Sequence, residues 1–418
     1  MKAMLTSALA LVLAASATPA AAQYDSDQPA APQPAPKAQQ AQEGAKPDIR
    51  PSKKAMSAIV ALQTAVKNKD VANIPAKVAA AQAVAETKED HYLIGRLQLQ
   101  AAAEAKDNAA IETALGAISA SNYLGAVQLS DLYAALGATY YNSKQYPQAV
   151  AAYQKALALN PQNADAAPMV GEALLGAGQK AEAAVAFERL IQARVAAGQK
   201  PEEILYKRAV ATAYESKSPS AVSIAQQWVA AYPTPGNWSD AIAIYRNLNL
   251  GDAELTRDLL RLKQTMGILS GDEYLSLAGN AIDALTFDEA QAVVDAGIAA
   301  KKIDPASASA RELIGTLKAK PKSTPAELAA ATKIAVNGKA LVRIGDNYAA
   351  LGDYAHAVEA YKLAMAKPDT DKAVANLHIG MALARSGDKA GATAALNAVT
   401  GPRAGIAKYW LLYLAQKA

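Results

Sequence analysis

Three histidines, His91, His356 and His378, are the side chains best suited to acid–base or metal chemistry in this 418-residue chain. A helical metal site places a second ligand-type residue at i, i+4, and none of the three has one in such a motif. His91 follows Lys88-Glu89-Asp90 at a helix start, and His356 precedes the small Ala357 on a face patterned for solvent. There is no cysteine, which removes disulfides, thiol nucleophiles and thiolate metal sites together. A Ser–His–Asp triad meets only in space, so spacing does not decide it. No nucleophile elbow, zinc pattern or phosphate-cradling glycine loop accompanies the histidines. Gly171 to Gly178 reads as turns between helices, and Asp288-Glu289 reads as a pair stabilising a helix start through its dipole. The residues describe no reaction, no cofactor and no metal, so the chain reads as a non-enzyme.

The spacing of the bulky and small residues carries more. Tyr133, Leu136, Gly137, Tyr140, Ala149, Tyr153, Ala156 and Pro161 alternate large and small at helical intervals. Val170-Gly171, Leu174, Ala183 and Phe187 repeat the pattern 34 residues later. Two antiparallel helices explain it. Gly137 and Ala149 let the backbones approach, Tyr140 and Tyr153 fill the space beside them, and Pro161 stops the second helix. One hairpin cannot bury its own apolar face, so neighbours must stack.

This spacing resembles the tetratricopeptide repeat family. Leu341, Ile344-Gly345, Tyr348, Ala357, Tyr361 and Ala364, with Pro368 beyond, fall on the same template, and Ile379-Gly380, Leu383, Ala392 and Leu396 follow one residue out of phase. The resemblance implies an all-α, right-handed superhelical solenoid of antiparallel helix pairs that binds protein or peptide partners on its concave face. Carried over by template position, the groove residues are Asp131, Ala134, Ala138, Tyr141 and Asn142, then Asp165, Glu172 and Leu175, then Lys339, Val342, Arg343 and Asp346. Ala134 and Ala138 stand where chaperone-binding members carry Lys and Asn to clamp a terminal carboxylate. An acidic and aromatic groove suits a neutral or basic extended segment instead.

Residues 1–22 read as a secretory signal peptide, with Lys2, the apolar run Ala8 to Ala15 and the small-residue site Ala20-Ala21-Ala22. The run is far too short to span a bilayer, and no later run is long enough, so no membrane span is expected after cleavage. The signal resembles those of Gram-negative bacteria, and without a lipid-modifiable cysteine the expected location is the periplasm, with the partner in the cell envelope. Net charge is +4 with acids and bases interspersed, which is no footprint for nucleic acid. The short basic cluster Lys318 to Lys322 reads as a solvated loop. The oligomeric state stays open.

The remaining segments follow from composition and period. Residues 23–50, rich in Pro, Ala and Gln, read as a disordered linker. Residues 51–129 read as degenerate helical repeats, with a second helix from Val71 to Ala85 and breaks at Asp70 and Asp107. Residues 130–197 and 338–402 read as the clear repeats, with 198–337 between them as degenerate repeat-like helices. There Pro201, Pro219 and Pro325 fit first helical positions, and Thr286-x-x-Glu289 and Thr324-x-x-Glu327 read as capping boxes. No stretch has the period of a strand. Asn237-Trp238, Ile244-Tyr245, Leu259 to Lys263, Gly267 and Tyr274 to Ala278 faintly resemble repeat proteins accompanying TonB-type systems. The alternative function is therefore an accessory of a TonB-type uptake or envelope polysaccharide or cell-wall system. Residues 403–418 read as a helix capping the last open face of the solenoid.

Overall fold

Helix caps and prolines divide the chain into short helices, and the structure, a computed structural model, describes them over residues 49–320 and 322–417. The expected signal 1–22 lies outside the described residues, as does the linker up to residue 48. Among the described residues there are α-helices and one 3-10 turn and no strand. The chain divides into two compact units, the first ending at Ala186 and the second beginning at Phe187.

In the first unit the helices are α1 (Met56–Lys67), α2 (Ile74–Gln82), α3 (Lys88–Ala105), α4 (Asn108–Ala120), α5 (Ala126–Asn142), α6 (Tyr146–Leu159) and α7 (Ala166–Gly176). The boundary falls within α8 (Lys180–Ala196). The second unit continues with α9 (Glu203–Glu215), α10 (Ser220–Ala231), α11 (Pro235–Leu248), α12 (Ala253–Met266), α13 (Gly271–Asp283), α14 (Phe287–Ala299) and α15 (Ala308–Lys318). After these come α16 (Pro325–Ile334), α17 (Gly338–Ala350), α18 (Tyr354–Met365), α19 (Lys372–Ser386), α20 (Lys389–Asn397), the 3-10 turn Gly401–Arg403 and α21 (Ala404–Gln416).

Consecutive helices pack as pairs, among them α3 with α4, α5 with α6, α17 with α18 and α19 with α20. The close approach in each comes from a glycine on the first helix. A Cβ built on Gly137 would stand 2.7 Å from the Tyr153 ring, and one on Gly345 would run into the Tyr361 ring. Gly380 meets Leu396 at 2.6 Å and Gly95 meets Ile118 at 2.9 Å in the same way. Real Cβ atoms do not come this close, so these are positions where only glycine fits without displacing a buried side chain. Ala149 is fully buried in the α5–α6 pair, but the atoms that sit on Gly137 are those of Tyr153.

Local chemistry sets the helix ends, with several differences from the sequence reading. The Thr324–Glu327 capping box forms, as do boxes at Thr87–Asp90 and Ser270–Glu273. The expected box at Thr286 does not: its hydroxyl makes no capping bond to the backbone, and Glu289 is drawn away to an arginine. The second helix starts at Ile74 rather than Val71, which places Pro75 in its first turn, where a missing N–H is harmless. Pro201 precedes α9 by two residues, its carbonyl accepting a bond from the Tyr232 hydroxyl at 2.9 Å, and Pro219 caps α10 from outside. Gly171 lies inside α7; the turn is made by Gly178, at φ +79°.

The C-terminal helix is more than a lid. It packs on α19 and α20, but also on α10 and α12. The Tyr409 hydroxyl donates to the carbonyl of Ala241 at 3.0 Å, and Gln416 binds the carbonyl of Val229 and the Trp238 indole. Tyr409 and Trp410 are fully buried. The second unit therefore closes on itself through contacts between residues more than 150 positions apart, instead of coupling only adjacent pairs.

Candidate functional site

In the first unit, a buried asparagine organises the expected binding face. Asn163, in the loop before α7, donates to the Ser130 hydroxyl at 2.8 Å and to the Asp131 carboxylate at 3.1 Å. Its side-chain oxygen accepts from the N–H groups of Asp165 and Ala166, and Ser130 donates to the Ala156 carbonyl at 2.8 Å. One amide thus ties the α6–α7 turn to α5 and fixes the Asp131 carboxylate at the surface. Asp131, Asn142 and Asp165 are exposed; Ala138, Tyr141, Glu172 and Leu175 are half-buried; Ala134 is buried. Tyr141 stands edge-on to Tyr146 at 5.5 Å.

In the second unit the corresponding residues separate. Lys339 is exposed, and Val342 and Arg343 are half-buried. Asp346 was expected to face a ligand groove and is instead buried. Its side of α17 is covered by α12 and α19, whose Arg261 and His378 bind its carboxylate.

Those contacts belong to a buried ion cluster. Helix α12 is buried at every residue from Arg257 to Lys263, so its charges must find partners inside. The Arg261 guanidinium forms a two-pronged pair with Glu289 at 2.5 and 2.6 Å, and lies 3.0 Å from Asp258 and 2.9 Å from Asp346. His378 sits between acids, with Nε2 3.0 Å from Asp258 and Nδ1 2.9 Å from Asp346. The Tyr361 hydroxyl donates to Asp346 at 2.8 Å, and the Thr286 hydroxyl to Glu289 at 3.0 Å. Arg257 and Arg403 lie at the edge, 3.7 Å from Asp346 and 3.8 Å from Asp258 respectively.

The charges set one another's protonation. Burial would push the Asp346 carboxyl up, but Arg261 and then His378 outweigh it and hold it well below the usual range. Burial likewise opposes, and His378, Arg261 and Arg257 overcome, so Asp258 is also held low. Burial would lower His378, yet Asp346 and Asp258 raise it to about 9. The ring is therefore an imidazolium at neutral pH, with no free lone pair to act as a base. A cavity of about 40 Å³ borders the cluster, an order of magnitude below the ~300–1,000 Å³ of small-molecule sites. The arrangement joins α12, α14, α17 and α19.

Several residues of the faint TonB-type resemblance are buried inside the second unit. Trp238 and Tyr245 are buried against α21, Tyr245 hydrogen-bonding the Pro402 carbonyl, and Leu259 to Lys263 form the buried middle of α12. The sequence reading did not single out Arg257, Asp258, Arg261, Glu289 or Arg403 as partners. One signal was present: Arg257 and Arg261 stand at i, i+4 in a helix with Leu255, Leu259 and Leu262 on one face and a further leucine, Leu260, on the side the arginines occupy.

Two segments match the family model for the tetratricopeptide repeat, residues 130–163 in the first unit and 338–366 in the second. Among solved structures, the chain is similar to a tetratricopeptide repeat protein from Parabacteroides merdae ATCC 43184, at 11% identity and a TM-score of 0.25, over 79% of this chain and 100% of that one. The TPR2AB domain of yeast Sti1, in a complex with pHSP90, matches at 15% identity and a TM-score of 0.26, over 69% of this chain and 95% of that one. Yeast Tom70 matches at 13% identity and a TM-score of 0.22, over 87% and 89%. No curated protein matches the chain. The class the structure defines is an all-helical protein of consecutive helix pairs among the described residues, with one segment in each unit similar to the tetratricopeptide repeat.

Proposed function

We infer that this chain is a non-catalytic scaffold that holds a protein or peptide partner on the first-helix face of its repeats, and that it does so in the periplasm. The observation that carries the binding role is the 130–163 repeat, where Asn163 fixes Asp131 at a surface shared with Tyr141 and Asn142. A fixed carboxylate on the same helix as a half-buried tyrosine and an exposed amide suits a neutral or basic extended segment, because polar anchors and an aromatic spread along one helix give orientation and contact area together. The location rests on the signal-like residues 1–22; no helix of the described residues is long and apolar enough to cross a membrane.

Crosslinking in intact cells followed by partner identification tests both parts. The expected result is a recurrent envelope protein whose capture falls when Asp131→Lys and Asn142→Ala are combined. Both residues are exposed, so the fold should survive. Capture that is unchanged by the double variant, or confined to cytoplasmic proteins, would sink the reading.

A further inference from the structure

The second unit carries a cleft of about 570 Å³ between α18, α19, α20 and α21. Its volume lies in the range of sites for small organic ligands or a few residues of peptide. Its walls combine two tyrosines, Tyr354 and Tyr413, with Leu414 and three cations, Arg385, Lys389 and Lys417. No carboxylate side chain lines it among the described residues. The neighbouring acids are turned to other work. Asp388 caps α20 through the Gly391 N–H at 2.8 Å, and Asp353 caps α18 and holds His356 at 2.7 Å. Arg385 and Lys417 instead lie over ring faces, at 5.1 Å from Tyr354 and 4.9 Å from Tyr413. A cation resting on a ring is attracted weakly and keeps its N–H groups available for an anion.

We propose that this cleft binds an internal acidic segment of a partner protein, with aspartate or glutamate side chains on Arg385, Lys389 and Lys417 and an adjacent aromatic or aliphatic side chain between Tyr354 and Tyr413. The charge pattern selects the occupant. Three cations without a lining acid exclude a basic segment, and the apolar wall of Tyr354, Tyr413 and Leu414 favours a side chain over a bare inorganic anion. The site lies wholly in the second unit and is independent of the Asp131 face, so either can fail without the other.

The test is fluorescence anisotropy on the full chain with a short labelled peptide in which Asp and Glu alternate with Phe and Leu, amidated at its C-terminus. A second peptide carries Lys at every acidic position. The acidic peptide should bind, weaken as salt rises, and bind about tenfold more weakly to Lys389→Glu, which loses one charge-assisted contact. Lys389 and Lys417 are exposed, so Lys389→Glu and Lys417→Glu keep the fold, as circular dichroism would verify. Tyr354→Ala should weaken the acidic peptide as well, through lost apolar contact. Equal binding of the two peptides, or affinity unchanged in both lysine variants, would overturn the proposal. Binding that appears only with a free C-terminal carboxylate would overturn the internal-segment reading.

Discussion

Replacing Arg261 with methionine should remove the centre of the ion cluster while keeping much of its volume. The side chain is 7% exposed and holds Glu289, Asp258 and Asp346, whose side chains are 8%, 0% and 1% exposed. Removing one partner of a buried pair leaves uncompensated charge and costs about 3–5 kcal/mol. For a unit of this size that lowers the melting temperature by roughly 10 °C. The loss should carry a pH signature. In the native protein the carboxyls of Asp258 and Asp346 are held below their ordinary values. Their stabilisation is present above about pH 4 and is lost as pH falls through the lowered values. Without Arg261 those values rise in the folded state, so the variant has less to lose in acid, and the gap to the native protein should narrow below about pH 4. Urea unfolding across pH measures the gap, and hydrogen exchange locates it. Protection should fall in α12, α14, α17 and α19 and stay unchanged in α1 to α6. A loss below about 1 kcal/mol, smaller than the removal of any buried charge partner allows, would refute the reasoning. So would a gap that does not move with pH, or lost protection in both units.

Three further outcomes follow from the same geometry. His378 is raised to about 9 in the fold, so its stabilisation is complete below about pH 6.5 and lost as pH rises through 9, a decline of about 3 kcal/mol that His378→Gln should flatten in a urea titration. Gly137→Ala drives a methyl into the buried Tyr153 ring, and Ala149→Leu overpacks the same pair; each should cost about 1–3 kcal/mol, with lost exchange protection confined to the first unit. Deleting residues 404–418 strips the cover from Trp238, Ala241 and Tyr245, so exchange should rise in α10 to α12 as well as in α20; a rise limited to α20 would mean that α21 is only a terminal cap.

The residues that pack within one helix pair were readable from sequence, because their partners lie within about two turns and a loop of one another. Gly137 with Tyr153 and Gly345 with Tyr361 are each separated by 16 positions, and the small-then-aromatic spacing is itself the record of the contact. Helix ends were readable where a cap uses only its own next turn, as at Thr324 and Glu327. Thr286 and Glu289 have the same local pattern and failed, since Arg261, 28 residues away, binds the glutamate more strongly than a backbone N–H does. Tertiary structure alone decided the rest. Asp346 has the template position of a groove residue, yet α12 and α19 cover it and bring Arg261 and His378 to its carboxylate. His378 shows no ligand spacing because its acids come from 120 and 32 positions upstream. The C-terminal helix advertised a need for cover, but which face it would take depended on the closure of α10 to α12 around it. Sequence period encodes which side of a helix is apolar; it does not encode which distant helix arrives there, and a buried charge acquires its role only from that arrival.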